Sequence, residues 1–471
     1  MPNGITPMPA PSPTSTRPPV RRGLVFSIIS LALIMMALDA TIVATALHAI
    51  QQDLGTTVNW AGWTITAYSF GFVLMLPITG KLSSQYGRRR VFLVSVITFT
   101  LASLCCGMAN DIYTLIALRA LQAAGGAGFT PSATGLVVDY FGASRDRYVG
   151  LFGSIFPVGA IIGPIFGGLF VNYWSWRGIF LVNVPIGIAI ALLALRFIPS
   201  DPLRAPQKKE RKDPVGLALL GCGVFGAMLA ASVLGEKSAS ALSAAFLAPL
   251  AASAVGLWLF VRHARRCDHP FIAPNLIYGK DFGAVNLYNA LVGGVKLGVV
   301  ALVPLYATNR YGFDALDSGT LLTAQGIAGI LFTLGAALAL RRSGYRPPLY
   351  IGTLVMVAGM VLLAIAPPPG MGAYLWLAIG AFLVGAGGGI INPASRNAGL
   401  QLAPGQASTL AALRSMGLQI GSIATISIAT AIIAAAAHPG PAQAWFYIAT
   451  AALFIVALPI VRRMPEYHGA W

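Results

Sequence analysis

GSIFPVGAIIGPIFGG, residues 153–168, sets five glycines and two prolines inside a stretch apolar enough to cross a membrane. In water such a run would not hold a helix. In a bilayer, neighbouring helices satisfy freed backbone groups, so glycine and proline are tolerated and become shaped contact surfaces. Gly159, Gly163 and Gly167 recur every fourth residue and share one face, which lets another helix approach closely. Pro157 and Pro164 lack an amide donor, leaving the carbonyls of Gly153 and Ala160 unpaired and predicting a bend. The stretch reads as a kinked, tightly packed membrane helix, with its glycine face against the opposite half of a moving protein.

Composition sets the same class. Of 471 residues 56% are hydrophobic and only 10% charged, where an ordinary soluble domain carries about a quarter charged residues. The net charge of +17 could suggest nucleic acid, but the positions of Lys and Arg exclude that reading. Of the 31, 23 fall in the connections on one side of the apolar spans, three (Arg177, Lys237, Arg310) on the other, and five within or at the ends of spans. The positive-inside rule accounts for this asymmetry. Cys105, Cys106, Cys222 and Cys267 fall in spans or an inside loop and read as packing thiols. His263, Cys267 and His269 in HARRCDH lack a fourth ligand and standard zinc spacing, so no metal is expected.

Residues 1–22, with seven prolines and three arginines, read as a disordered cytoplasmic tail without a cleavable signal. Apolar segments of membrane length fit near 24–46, 60–80, 91–109, 113–138, 148–171, 178–198, 214–234, 241–261, 283–306, 317–339, 349–366, 374–399, 406–436 and 443–461. The expected fold is all-α with fourteen spans and both termini cytoplasmic. An N-terminal six-helix bundle would occupy 23–200, two extra helices with basic linkers 201–282, a C-terminal six-helix bundle 283–461, and a cytoplasmic tail 462–471. A weak internal repeat supports the duplication, since KLSSQYGRRRVFL (81–93) is echoed by ALRRSGYRPPLYI (339–351), aligned on Gly87 and Gly344. Duplicated halves facing a midplane site are common in secondary transporters.

Of 14 acidic residues, only Asp39 lies clearly within a span. A carboxylate there costs about 2.5 to 3.5 kcal/mol on insertion scales, so it should face a cavity or a partner. That makes it the first candidate for carrying a proton. Arg119 is a fixed charge in the fourth span, able to bias a nearby carboxylate or bind an anion. Lys296 is the third deep charge, and a buried lysine can titrate or hold an anionic substrate. Arg396 and Arg414 sit nearer span ends, where snorkelling competes with function. The loop Gly80–Arg90, GKLSSQYGRRR, carries Gly87, Arg88, Arg89 and Arg90, which can latch helix ends through carboxylates such as Asp139.

Taken together, these runs resemble the major facilitator superfamily, specifically its drug:proton antiporter branch with fourteen spans. LDATIVATAL (38–47) resembles the branch's first-span motif with Asp39 at the acidic position, and NWAGWTITAY (59–68) its second-span entry. GKLSSQYGRRR is similar to the superfamily's inside-loop motif, and RALQAAGGAG (119–128) to the fourth-span motif with Arg119 at its arginine. The opening stretch resembles the antiporter motif at Gly159, Gly163, Pro164, Gly167 and Gly168, and WSWRGIFLVNVPIG (174–187) a further signature. The chain departs from the pattern at Ser84, where the motif has aspartate, and at Ala123, where it has glycine.

The resemblance implies two six-helix bundles plus two helices between them, alternating access by rocking, and export of amphipathic small molecules driven by proton entry. Asp39 and Arg119 would couple protons, and the fold would place Asn289, Lys296 and Asn392 on the substrate cavity. No cofactor is expected beyond the proton gradient. The partners are the lipid bilayer, a small amphipathic substrate, the proton and, in a Gram-negative envelope, a periplasmic adaptor. The location is the cell (inner) membrane, and no enzyme activity is expected. Deep positive charge motivates an alternative, an exporter of an organic anion or lipid-like amphiphile. A membrane-embedded sensor or enzyme would need a catalytic constellation or appended domain that the sequence lacks.

Overall fold

The computed structural model describes residues 21–467 apart from 57, 202–212, 235–242, 269, 271 and 314. Most of the N-terminal tail, most of the 201–213 loop and the last four residues of the C-terminal tail therefore lie outside the described residues. The first half comprises α1 (Arg22–Asp53), α2 (Val58–Tyr86), α3 (Arg88–Gly107), α4 (Ile112–Gly126), α5 (Phe129–Tyr140), α6 (Arg145–Leu151), α7 (Ile155–Tyr173), α8 (Gly178–Leu181) and α9 (Asn183–Phe197). An inserted pair follows, α10 (Pro214–Leu234) and α11 (Ala244–Arg266). The second half comprises α12 (Pro274–Tyr278), α13 (Phe282–Tyr288), α14 (Val295–Ala301), α15 (Val303–Tyr311), α16 (Ala315–Ser343), α17 (Arg346–Ala364), α18 (Ala373–Leu402), α19 (Ala407–Ala435) and α20 (Pro439–Ala457).

Eleven of these stretches, among the described residues, are long and apolar enough to cross a membrane. The protein is a multi-pass membrane protein. Three expected spans take other forms. The 113–138 segment is split between α4 and α5, and the 148–171 and 214–234 segments yield only shorter apolar helices by the same measure. The split has a chemical cause: Pro131 has no N–H for the carbonyl of Ala127, and Thr79 Oγ1 donates to that oxygen instead, at 3.1 Å. Gly125 sits against the backbone of Phe99, a packing no side chain would permit.

The same device recurs in the second half. Pro393 lies inside α18, and the carbonyl it frees, that of Gly389, accepts from Thr333 Oγ1 at 3.4 Å. The aligned Gly87 and Gly344 share the left-handed backbone region, at φ 105° and 70°, which favours glycine. An acid placed after each half's last helix caps its third membrane-length stretch, α3 in the first and α17 in the second. Asp201 accepts from the amides of Arg89 and Arg90, each at 3.0 Å, and Glu466 from the amide of Tyr345 at 2.7 Å and that of Arg346 at 3.2 Å. The weak repeat in the sequence thus corresponds to repeated backbone chemistry.

The second half has its own apolar core, whereas that of the first half runs on into the inserted pair and into Leu400, Leu410 and Leu413 of the second; α10 packs on α2 and α19, where the halves meet. The halves touch through α2 and α5 against α19, and through α6 and α7 against α16. The inserted helices are joined by close approaches of Gly223, Gly226 and Gly256 to the facing backbone.

One expectation is corrected here. The glycine face of α7 packs within the first half: Gly159 lies on Ala37, Gly163 on Thr41 and Gly167 on Thr45 and Ile42, all on α1. Thr41 Oγ1 also donates to the carbonyl of Gly159 at 3.0 Å. Contact with the opposite half is made nearer the start of the stretch, by Gly153 against Asn392, and just before it by Gly150 against Pro393. Four-residue spacing defines a face but not which neighbour it meets. Gly168 has open space around its Cα and makes no close approach.

Candidate functional site

Asp39 is 1% exposed and enclosed by three donors from two helices, α4 and α9. Arg119 Nη1 donates to its Oδ2 at 2.7 Å, Gln122 Nε2 to its Oδ1 at 2.8 Å and Asn183 Nδ2 to the same oxygen at 3.0 Å. Gln122 stands one turn from Arg119 on α4, so its two ends serve both members of the pair: Oε1 accepts from Arg119 Nη1 at 2.5 Å. Its amide also donates to Ser103 Oγ on α3 at 2.6 Å. Arg119 Nε reaches the carbonyl of Thr64 at 3.4 Å, and the guanidinium lies 4.2 Å from the Tyr68 ring centroid. Every charge in this cluster is therefore matched by an opposite charge, a hydrogen bond or a π face.

Asp39 and Arg119 are expected from the sequence; Gln122, Asn183 and Ser103 are added by the structure. Gln122 and Asn183 carry a readable signal, being amide side chains deep in apolar helices. Ser103 carries none.

A cavity of about 400 Å³ opens between the halves beside this cluster. Its lining joins Thr41 and Phe72 of the first half to Asn289, Lys296, Asn392 and Arg414 of the second. Asn289, Lys296 and Asn392, assigned to the cavity from the fold alone, thus lie along one space, whereas Asp39 and Arg119 are turned away from it into the first bundle. Asn289 starts a π-helical turn, Asn289–Gly294, between α13 and α14, an irregularity frequent at functional sites. Arg396 and Arg414, for which snorkelling and function were both open, also line the cavity and so are placed inward.

The end carrying the arginine-rich connections is closed by two seams. In one, Gly80 sits on Ala412 and Ser408, and Ser83 Oγ donates to Ser408 Oγ at 3.3 Å. Ser84 Oγ donates back to the carbonyl of Gly80 at 3.2 Å. Arg88 pairs with Asp139 at 2.8 Å, and Arg89 donates to the carbonyl of Leu195 near the end of α9 at 2.6 Å.

The other seam centres on Asp146, which is 1% exposed and went unnoticed in sequence among basic neighbours. Tyr345 Oη and Gln401 Nε2 of the second half each donate to its Oδ2 at 2.8 Å, and Asn397 Nδ2 donates to its carbonyl at 2.9 Å. Burial pushes the Asp146 carboxyl above its usual range, and the hydrogen bond from Tyr345 and the charge of Arg145 oppose that rise.

At the foot of the inserted pair, Asp213 joins two residues of HARRCDH. Its Oδ1 accepts from the amide of Gly216 at 2.7 Å and lies 2.8 Å from His263 Nε2. Cys267 Sγ completes a group whose ligand atoms lie within 4.8 Å of one another. His269 is outside the described residues. As built, Asp213 caps α10 and ties it to the last turn of α11.

The profile described as Major Facilitator Superfamily matches residues 29–426 and, in an overlapping alignment, 285–470. The multidrug transporter protein MdtP of Bacillus subtilis is 32% identical over 349 residues, covering 73% of this chain and 63% of its own length. The puromycin resistance protein pur8 of Streptomyces alboniger is 32% identical over 436 residues, covering 90% of this chain and 84% of its own. Among solved structures, the human organic anion transporter MFSD10 (TETRAN) superposes with a TM-score of 0.66 over 94% of this chain and all of its own, at 16% identity. That last likeness is one of fold.

Proposed function

The chain belongs to the major facilitator superfamily and is a transport protein without catalytic activity, and from that premise we propose that it is a proton-coupled exporter of amphipathic small molecules. The reading takes fourteen spans, in two six-helix bundles plus the inserted pair, with the arginine-rich end and both termini in the cytoplasm. The bundles rock about the central cavity to alternate access. In a Gram-negative envelope a periplasmic adaptor would complete the export route.

The observation that carries the reading is the enclosed Asp39–Arg119 pair beside a cavity between halves. A proton added to the Asp39 carboxylate cancels its charge and weakens the bond from Arg119, which stays cationic. The first bundle then holds one uncompensated charge, and a rearrangement that hydrates or re-pairs Arg119 becomes favourable. Protons enter down their gradient through this cycle as substrate leaves. The closed seams at Ser83–Ser408 and Asp146–Tyr345 correspond to a state shut toward the cytoplasm.

The test is Asp39→Asn in proteoliposomes with an imposed pH gradient, using puromycin, ethidium and the anionic 1-pyrenebutyrate as trial substrates. The variant is expected to insert normally and bind substrate while losing gradient-driven efflux altogether. Efflux that still follows the gradient would remove Asp39 from the coupling role.

A further inference from the structure

Three cationic side chains of the second half, Lys296, Arg396 and Arg414, line the central cavity, and among the described residues no aspartate or glutamate does. Neutral groups hold the two guanidiniums in place. Asn392 Oδ1 accepts from Arg396 Nε at 3.0 Å and from Arg414 Nη2 at 3.4 Å, and Ser395 Oγ accepts from Arg414 Nη2 at 3.2 Å. These oxygens orient the charges without neutralising them. Arg414 Nε is buried with no hydrogen-bond partner. The Lys296 ammonium lies against Gly388, where any side chain would collide with it, so the glycine keeps its berth open.

Buried cations are costly unless they are paired, and here the described protein supplies no pair. A mobile anion can. Two guanidiniums sharing one amide oxygen present donors in a planar fork that suits a carboxylate, sulfonate or phosphate, and an ammonium nearby adds a point charge. The rest of the cavity wall includes Phe72, Val292, Leu297, Met356 and Leu418, an apolar bed for the body of such a molecule.

We propose that Lys296, Arg396 and Arg414, organised by Asn392, form a cradle for the anionic head group of an amphipathic ligand in the central cavity. The proposal rests on that cavity being the substrate site and selects, within the class of amphipathic molecules, those carrying an oxyanion. Soluble organic anions and acidic lipids share this chemistry.

The test is equilibrium binding to the purified full-length protein in phosphatidylcholine nanodiscs, read by fluorescence polarisation against empty discs. The probes are 1-pyrenebutyrate, its neutral amide and pyrenebutylammonium, which differ only in the head. No gradient is present, so failure of the proton-coupling reading leaves this measurement untouched. The carboxylate is expected to bind at least tenfold more tightly than either analogue. The double substitution Arg396→Gln, Arg414→Gln and the single Lys296→Met should each erase most of that preference.

Ligand-free Lys296→Met should also unfold at the same temperature as the parent or higher, because it removes an unpaired charge, while losing the stabilisation that 1-pyrenebutyrate confers. Equal binding of the three probes would overturn the proposal, as would an intact preference in the substituted proteins. Repeating the titration in phosphatidylglycerol discs separates the sources. Weakened probe binding there identifies an acidic lipid as occupant, and unchanged binding a soluble anion.

Discussion

The two halves bury their charges in opposite ways. The first surrounds Arg119 with Asp39, Gln122 and the Tyr68 ring and keeps the cluster away from the cavity. The second presents Lys296, Arg396 and Arg414 to the cavity with, among the described residues, no carboxylate on its wall. The scaffolds are otherwise built alike, with a threonine on a proline-freed carbonyl, a left-handed glycine before α3 and α17, and an acid capping each of those helices. The halves share these backbone devices and differ in where they place their charges. A bundle whose charges close on themselves suits a reversible internal switch. A bundle whose charges stay open suits a ligand.

The largest effect is expected from breaking the closed cluster. Arg119→Ala leaves Asp39 buried among amides without a counter-charge, which should destabilise the protein by about 3–5 kcal/mol. The double variant Asp39→Asn, Arg119→Gln removes both charges and should recover most of that loss, as read by denaturant or thermal unfolding in detergent. In the second half no such rescue by pairwise neutralisation should exist, because among the described residues no carboxylate partners Arg414. If single and double variants of the first half are equally unstable, the pair is not the closed unit described and the contrast fails.

Next in size is a packing change that sharpens where the first half ends. Gly163→Leu forces a side chain onto Thr41 of α1, and overpacking of this kind costs about 1–3 kcal/mol. Because both helices belong to one bundle, the loss should appear as lower stability, and transport of every substrate should fall in parallel. Spin-label distances across the seam at the arginine-rich end should not change. A shift in those distances at unaltered stability would return the glycine face to the interface between halves.

Much of this was legible in sequence. Apolar length and the one-sided distribution of Lys and Arg gave the class, since both follow from a bilayer's dielectric. Asp39, Arg119 and Lys296 stood out because ionisable groups are rare in that setting. Which charges pair was not legible: Asp39 and Arg119 are 80 residues apart, and their meeting depends on how the helices of the first bundle are arranged around α1. For the same reason the α7 glycines revealed a face without its neighbour. Asp146 carried no pattern at all, because a carboxylate in a basic connection reads as solvated until the second half covers it. The Asp213–His263 tie was likewise hidden by 50 residues of intervening chain.

The smallest effect concerns Asp146, a first-half carboxylate whose second-half partners are uncharged, and so a third arrangement between the two extremes. Its carboxyl is raised by burial when the seam is shut and returns to the ordinary range when water reaches it. Closing therefore takes up protons at pH values between those two levels. Acid favours the shut seam, the preference declines as pH climbs to the raised level, and above it the equilibrium is flat. Tyr345→Phe removes a hydrogen bond to the ionised form, which should cost about 1 kcal/mol of closure at neutral pH and extend the pH-sensitive window upward. Spin labels at Arg147→Cys and Arg342→Cys, both on exposed positions flanking the seam, with the native cysteines replaced, would report the distance across it. The parent should show a larger short-distance population at acid than at neutral pH, and Tyr345→Phe should lose that population at lower proton concentration only. A distance distribution indifferent to pH in both proteins would mean that Asp146 stays buried throughout the cycle, leaving the Ser83–Ser408 seam as the one that opens.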